Sequence, residues 1–167
     1  MTNDSQNSDM NNSDNTKPQM TILAQYLTDL SFENPNPLIM LQQEQRPSVN
    51  VDVNTKAQRI NNEQFETKLH INVKATKPET DDIAFLIECT YNGIFLIRNI
   101  PTDQLEAFLL VECARFLFPY ARNIVSDATR DGGFPPLFLD PIDFFSLYKR
   151  KLTARSNASK SESSETI

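Results

Sequence analysis

The chain has 167 residues, of which 39% are hydrophobic, and a formal net charge of −6. This length and composition suit a single domain with one core, and no run approaches the roughly 18 to 20 apolar residues that a membrane-spanning helix needs. The acidic balance disfavours a nucleic-acid-binding protein, because phosphate binding requires a basic surface, and it favours a basic protein partner.

Both ends of the sequence are polar. Residues 1–20 are mainly Asn, Ser, Asp, Thr and Gln, and residues 154–167 are rich in Ser. Segments of this composition bury too little apolar surface to offset the entropy lost on ordering. We therefore predict a disordered tail at 1–20, a folded domain at 21–153 and a flexible tail at 154–167. The first tail also lacks the basic and apolar parts of a signal peptide, which favours a cytoplasmic location.

The first half of the predicted domain has the two-residue period of β-strands. Val49, Val51 and Val53 alternate with polar residues, and the stretch from Phe65 to Ala75 repeats the pattern. Such alternation gives each strand one apolar face and one wet face, and it predicts antiparallel neighbours. An earlier strand is expected to run through Leu30 and Phe32 into a proline-containing crossover.

A further strand is predicted at IAFLIECTY, residues 83–91, where both faces are largely apolar. Asn92-Gly93 directly after it leaves two interpretations open. The dipeptide is either a type I′ hairpin turn or a bulge within one long strand that continues through residues 94–98.

The second half changes to the helical period. Asp103 followed by Glu106 resembles a capped helix start, and apolar residues then recur at helical spacing over 105–117. Pro119 is expected to kink this helix, and Gly132-Gly133 to end it.

Asp140 as N-cap and Pro141 at the first helical position predict a second, shorter helix. The predicted fold class is α+β, with a four-stranded antiparallel sheet followed by a long and a short C-terminal helix.

Motifs for catalysis are missing from the sequence. The chain has three glycines, so a dinucleotide fingerprint or a phosphate loop cannot be written anywhere in it. Cys89 and Cys113 lie in apolar surroundings typical of reduced core thiols. The single histidine, His70, lies on the polar face of a strand and is interpreted as solvated. We therefore predict a binding protein and not an enzyme, with no metal site and no cofactor.

One segment combines many apolar side chains with prolines that restrict its secondary structure. Residues 132–148, GGFPPLFLDPIDFFSLY, include four Phe and three Pro, and proline excludes a long helix or a central strand. A sheet covered by two helices also leaves apolar strand surface to be buried. The sequence leaves open whether this surface packs within the chain, against another copy, or against a client.

Three stretches carry a family resemblance: DLSFENPNP (29–37), LFPYAR (117–122) and GGFPPLFLDPIDFFSLY (132–148). In this order and spacing they resemble the bacterial protein-export chaperone family SecB, over about residues 26–152. The resemblance implies a homotetramer, a dimer of dimers, that holds unfolded precursor proteins without ATP and delivers them to the translocation ATPase SecA. The alternatives are a self-assembling interaction protein without chaperone activity and a small-molecule carrier.

The resemblance also implies roles for individual residues. The expected client groove comprises Val49, Val51, Val53, Leu137, Phe144 and Tyr148, to which we add Phe138 and Ile142 by proximity. The expected SecA-docking face comprises Asp29, Glu33, Leu86 and Glu88. The positions that match the tetramer interface are Ile87, Cys89 and Tyr91, although core packing within the subunit explains them almost as well.

The sequence departs from the family pattern at one aromatic position. It has no tryptophan, and the crossover position that is often Trp reads Gln45-Arg46-Pro47. We expect one aromatic wall of the groove to be altered there.

Overall fold

A computed structural model describes residues 17–37, 46–78 and 82–162 of the chain. In chain order its elements are β1 (Gln19–Glu33), β2 (Ser48–Arg59), β3 (Gln64–Thr76), β4 (Ile83–Arg98), α1 (Thr102–Ala107), a π-helical segment (Phe108–Cys113), α2 (Ala114–Asp131) and α3 (Phe144–Glu162). The strands form one antiparallel sheet in the order β1-β4-β3-β2. The predicted α+β fold, a four-stranded sheet followed by C-terminal helices, is confirmed.

The alternation read from the sequence decides which face of the sheet is covered. Leu69, Ile71 and Val73 of β3 are at most 2% exposed, and the hydroxyl of Thr67 on the same face donates a hydrogen bond to the Leu109 carbonyl in the π-helical segment, at 3.2 Å. The core therefore lies between this face and the helices. We call the opposite surface of the sheet the outer face.

β2 and β3 form a hairpin, as predicted for neighbouring strands. The loop covers residues 60–63, and the Asn61 side-chain oxygen accepts the backbone N–H groups of Glu63 and Gln64 at 3.1 and 2.9 Å. Asn commonly stabilises turns by bonding the backbone two or three residues on. The pairing that follows runs without interruption from Arg59 opposite Phe65 to Ser48 opposite Thr76.

β4 is one continuous strand, so the hairpin interpretation of Asn92-Gly93 is wrong. Asn92 and Gly93 pair with Lys68 and Thr67 of β3 in unbroken register. Irregularities lie elsewhere along β4. The register with β3 shifts between Ala75 and Thr76, and the register with β1 shifts between Ile22 and Ala24 and again between Leu27 and Asp29.

β1 is longer than the predicted strand through Leu30 and Phe32, since it begins at Gln19. Its two register shifts break the alternation, which removes the pattern by which a strand is recognised. Residues 1–16 lie outside the described residues, and the predicted N-terminal tail remains a prediction.

α1, the π-helical segment and α2 follow one another without a gap from residue 102 to residue 131. The first helix begins after Pro101 without a side-chain cap, so Asp103 lies in its first turn and does not cap it. α2 continues through Pro119, where the kink stays a prediction, and it ends at Asp131, directly before Gly132-Gly133 as predicted. Gly133 has a φ of 88°, a conformation that favours glycine.

α3 begins at Phe144 and not at Asp140-Pro141. The carboxylate of Asp143 accepts hydrogen bonds from the backbone N–H and the hydroxyl of Ser146, at 3.0 and 2.7 Å, and so takes the capping role. The helix extends to Glu162 and is longer than predicted. None of the helices in the described ranges is long and apolar enough to cross a membrane.

Candidate functional site

An open groove of about 600 Å³ lies between β2 and the chain that leads into α3. Val49 and Val51 on one wall are each 38% exposed, and Phe138 on the other is 68% exposed. The complete lining is Val49, Val51, Asp52, Val53, Leu137, Phe138, Leu139, Asp140, Pro141, Ile142, Leu147 and Arg150. The groove is mainly apolar, and it has two carboxylates and one guanidinium.

The second wall is held in place by a partly buried side chain before it and a buried side chain within it. Phe134 packs against Phe85 and Phe32, with ring centroids 4.8 and 6.3 Å apart, and Leu139 is 4% exposed. The backbone N–H of Leu137 donates to the hydroxyl of Thr129 in α2 at 2.9 Å. The prolines of this segment fix φ near −65°, so an extended wall with Phe138 facing solvent is formed before any partner arrives.

The structure brings most of the predicted groove residues together, and two of them lie outside its lining. Val49, Val51, Val53, Leu137, Phe138 and Ile142 all line the groove. Phe144 is 1% exposed and packs edge-on against Phe118 at 5.9 Å, while Tyr148 is half-buried against the core. These two side chains point inward because α3 starts at Phe144, three residues later than the sequence suggests. Of the crossover stretch Gln45-Arg46-Pro47, where the sequence lacks the tryptophan, Gln45 lies outside the described residues.

A second predicted cluster lies on the outer face. Glu33 pairs with Leu86, Ser31 with Glu88 and Asp29 with Thr90 across β1 and β4. The three carboxylates are exposed around a partly exposed Leu86. The four residues expected to form a docking face therefore share one surface.

Farther along the outer face, a buried carboxylate links all four strands. Glu66 of β3 is 6% exposed and accepts hydrogen bonds from Tyr26 of β1, Gln58 of β2 and Asn92 of β4. Burial by itself favours the protonated acid, but these hydrogen bonds and the charge of Lys68 outweigh it, so the pKa of Glu66 is lowered. The alternation pattern assigns Glu66 only to a wet face, so the sequence does not reveal this network.

Comparison with known proteins identifies the family. Residues 13–155 match the family model described as preprotein translocase subunit SecB. The protein-export protein SecB of Bartonella bacilliformis is 43% identical over 154 residues, which cover 92% of this chain and 96% of that protein. This chain belongs to the SecB family.

Other relatives agree with this assignment. The protein-export protein SecB of Afipia carboxidovorans is 46% identical over 140 residues, covering 83% of this chain and 86% of that protein. Among solved structures, a SecB-like chaperone of Mycobacterium tuberculosis in complex with an antitoxin peptide has a TM-score of 0.60 at 15% identity. The match covers 74% of this chain and 90% of that chain, and it shows a shared fold. As a member of the SecB family, the chain is a molecular chaperone.

The three residues that match the tetramer positions of SecB proteins are buried within this subunit. Ile87, Cys89 and Tyr91 are 1%, 0% and 9% exposed, and the Tyr91 ring stacks on Tyr120 of α2 at 5.8 Å. Burial, followed by the charge of Asp29, raises the pKa of Cys89 to about 11. Within the subunit these three side chains pack in the core, and their part in a tetramer interface stays a prediction.

An uncovered apolar surface lies beside those residues. Leu27 and Leu30 of β1 pair with Tyr91 and Cys89 and are each 43% exposed, while Phe116 and Tyr120 of α2 are 48% and 52% exposed. This surface cannot be predicted from alternation. Leu27 is odd-numbered and Leu30 even-numbered, and they share a face only because the register of β1 shifts between them.

Proposed function

We propose that this SecB-family chaperone is an ATP-independent holdase of the cytoplasm. It binds extended, unfolded precursor segments in the groove between β2 and residues 137–150, keeps them competent for translocation, and transfers them to SecA. The observation that carries the proposal is the groove itself, since valine and phenylalanine side chains line a preformed trough open to solvent.

The energetics of such a groove suit reversible holding. Burying one large apolar side chain contributes about 1.5 to 3 kcal/mol, less the entropy lost by both partners. Walls that are already fixed reduce that entropic cost. Folded proteins hide their large apolar side chains, so the groove selects unfolded chains without reading a sequence, and it competes with folding by mass action.

Holding of this kind requires no chemical step. We propose no enzymatic activity and no cofactor, and we expect neither nucleic acid nor direct membrane insertion among the interactions. Clients and SecA are the partners.

SecA is proposed to dock on the outer face at Asp29, Glu33, Leu86 and Glu88. Three carboxylates around a partly exposed leucine complement a basic element with an apolar centre, and complementary charges accelerate encounter and fix orientation. The docking face and the groove lie on different surfaces of the sheet. This separation allows SecA to bind while a client is still held.

The proposed assembly is a homotetramer arranged as a dimer of dimers. β1 is a 15-residue strand at one edge of the sheet, and a long edge strand with exposed leucines tends to pair with another chain. Leu27, Leu30 and Tyr120 supply apolar area beside that edge. Several grooves on one assembly then hold one long client through many weak contacts.

The experiment compares two variants that add the same charge to adjacent residues of β2. Val51→Asp puts a carboxylate into the groove, whereas Asn50→Asp puts one on the outer face. We expect Val51→Asp to lose suppression of aggregation of an unfolded precursor and Asn50→Asp to retain it. Equal holding by both variants would place the client elsewhere.

Docking is tested in parallel with Glu88→Lys. This variant should lose affinity for SecA and still hold the precursor, because Glu88 faces away from the groove. Unchanged SecA binding would rule out the proposed docking face without affecting the groove.

A further inference from the structure

The docking face depends on a change of parity within β1. Tyr26 pairs with Asn92, and both lie on the outer face; Asp29 and Glu33, which are odd-numbered, pair with Thr90 and Leu86 and lie on the same face. In a regular strand, residues an odd number of positions apart point to opposite faces. Tyr26 and Asp29 nevertheless point to the same face, because Thr28 is an extra residue that forms a β-bulge between Leu27 and Asp29.

Without this bulge, the acidic residues would not lie on the docking face. Continuing the alternation from Tyr26 would turn Asp29 and Glu33 toward the helices, and Leu30 and Phe32 outward. Phe32 now stacks on Phe85 at 5.9 Å in the core. The bulge therefore sends the carboxylates outward and the aromatic ring inward.

A polar network holds the bulge. The hydroxyl of Thr28 donates to the backbone carbonyl of Thr90 at 3.1 Å and lies 3.4 Å from the side-chain oxygen of Asn92. The amide nitrogen of Asn92 donates to the Glu66 carboxylate at 3.0 Å. Tyr26, two residues before the bulge, donates to the same carboxylate. Asn92 is 1% exposed, so its side-chain amide lies inside the protein beside these partners.

We propose that Thr28 and Asn92 are positioning residues for the docking face. The two residues, together with Glu66 and Tyr26, fix the bulge that aligns Asp29 and Glu33 with Leu86 and Glu88. This assigns Asn92 a role that its position before Gly93 does not suggest. The inference rests on the proposed docking of SecA at this face.

The test is the affinity of the full-length variants for SecA. Thr28→Val keeps the shape of the side chain and removes its hydroxyl, whereas Thr28→Ser keeps the hydroxyl. Asn92→Leu removes both polar atoms at similar volume. We expect Thr28→Val and Asn92→Leu to weaken SecA binding about threefold to tenfold, since lost hydrogen bonds of this type shift equilibria by that order. Thr28→Ser should bind like the unaltered protein.

Two further measurements separate positioning from a general loss of structure. Amide hydrogen exchange in residues 26–33 should accelerate in Thr28→Val, while suppression of precursor aggregation stays unchanged because the groove lies at the opposite edge of the sheet. If Glu88→Lys abolishes SecA binding and both network variants bind normally, the positioning role is wrong. If Glu88→Lys binds SecA normally, the docking face itself is wrong and the positioning role falls with it.

Discussion

The ionised side chain of Glu66, which lies on the outer face of the sheet, contributes to the stability of the fold. Its carboxylate is buried and yet remains charged, because hydroxyl and amide donors from the three other strands converge on it and the Lys68 ammonium lies 3.4 Å away. A carboxylate in this position stabilises the fold only while it is ionised, since the protonated acid loses an acceptor and the charge.

We expect stability to fall with acidification because of this residue. The pKa of Glu66 lies below its ordinary value of 4.5, so its contribution is complete above that pH and is lost as the pH falls through the lowered pKa. Glu66→Gln should cost about 1 to 3 kcal/mol of unfolding free energy at neutral pH, the range for an unsatisfied buried polar group. Urea unfolding at several pH values measures both effects.

The control for this prediction is Glu63→Gln. Glu63 also has a lowered pKa, caused by its hydrogen bond to Arg98, but both side chains are about half exposed. An exposed pair contributes little, so this variant should unfold much like the unaltered protein. Equal effects of the two substitutions would contradict the importance of the buried network.

Among the elements, β2, β3 and β4 could be predicted from sequence because they alternate over most of their length. The register shift between β3 and β4 lies near the end of the pairing, between Ala75 and Thr76. β1 could be predicted only in part, because no local pattern reveals its two register shifts. At the second shift the Thr28 hydroxyl donates to the backbone carbonyl of Thr90 in β4. The start of α3 was misplaced for a related reason. Asp140-Pro141 and Asp143 both suit a helix start, and the choice depends on Phe144 packing against Phe118, which is a tertiary contact.

A lysine side chain links α3 to the sheet. The Lys151 ammonium donates to the Thr55 carbonyl on edge strand β2 at 2.6 Å, and partial burial lowers the pKa of Lys151. Leu147 and Arg150 of the same helix line the groove. The contact therefore fixes one groove wall relative to the other.

Lys151→Met is expected to loosen this wall. The substitution keeps the apolar stem and removes a charged hydrogen bond, a type that contributes about 1.5 to 3 kcal/mol. Hydrogen exchange of the α3 amides should accelerate. Lys149→Met is the matched control, because Lys149 is exposed and lies over the Phe145 ring at 4.4 Å. Identical exchange in the two variants would show that Lys151 does not secure the helix.

At the scale of the whole molecule, the sequence predicted the surfaces better than the individual side chains. The sequence left open what covers the proline-rich segment, and its residues 137–142 form a partly exposed wall of the groove. Alternation could not show whether the subunit itself covers Ile87, Cys89 and Tyr91. It gives the face of the sheet on which a side chain lies, and not what covers that face. α2 covers them, and Leu27, Leu30 and Tyr120 remain outside as the candidate contact surface.

We expect Tyr120→Asp to weaken the proposed tetramer and leave the subunit folded. Tyr120 is 52% exposed, so a charge there disturbs an assembly contact more than the core. Phe145→Asp is the control, because Phe145 is 47% exposed on another helix. Native mass measurement distinguishes them. A native mass unaffected by Tyr120→Asp would contradict the proposed interface.

The central proposal, that the groove holds unfolded chains, is tested most directly by site-specific cross-linking to a bound precursor. In Phe138→Cys, a photoactivatable reagent attached to the new thiol lies in the groove. In Phe145→Cys, the same reagent lies outside the groove. The native thiols should not compete for the probe, because burial raises the pKa of Cys89 to about 11 and of Cys113 to about 12. We predict efficient cross-linking of the precursor from position 138 and little from position 145. Equal cross-linking from both positions, or cross-linking from position 145 alone, would contradict the groove as the client site.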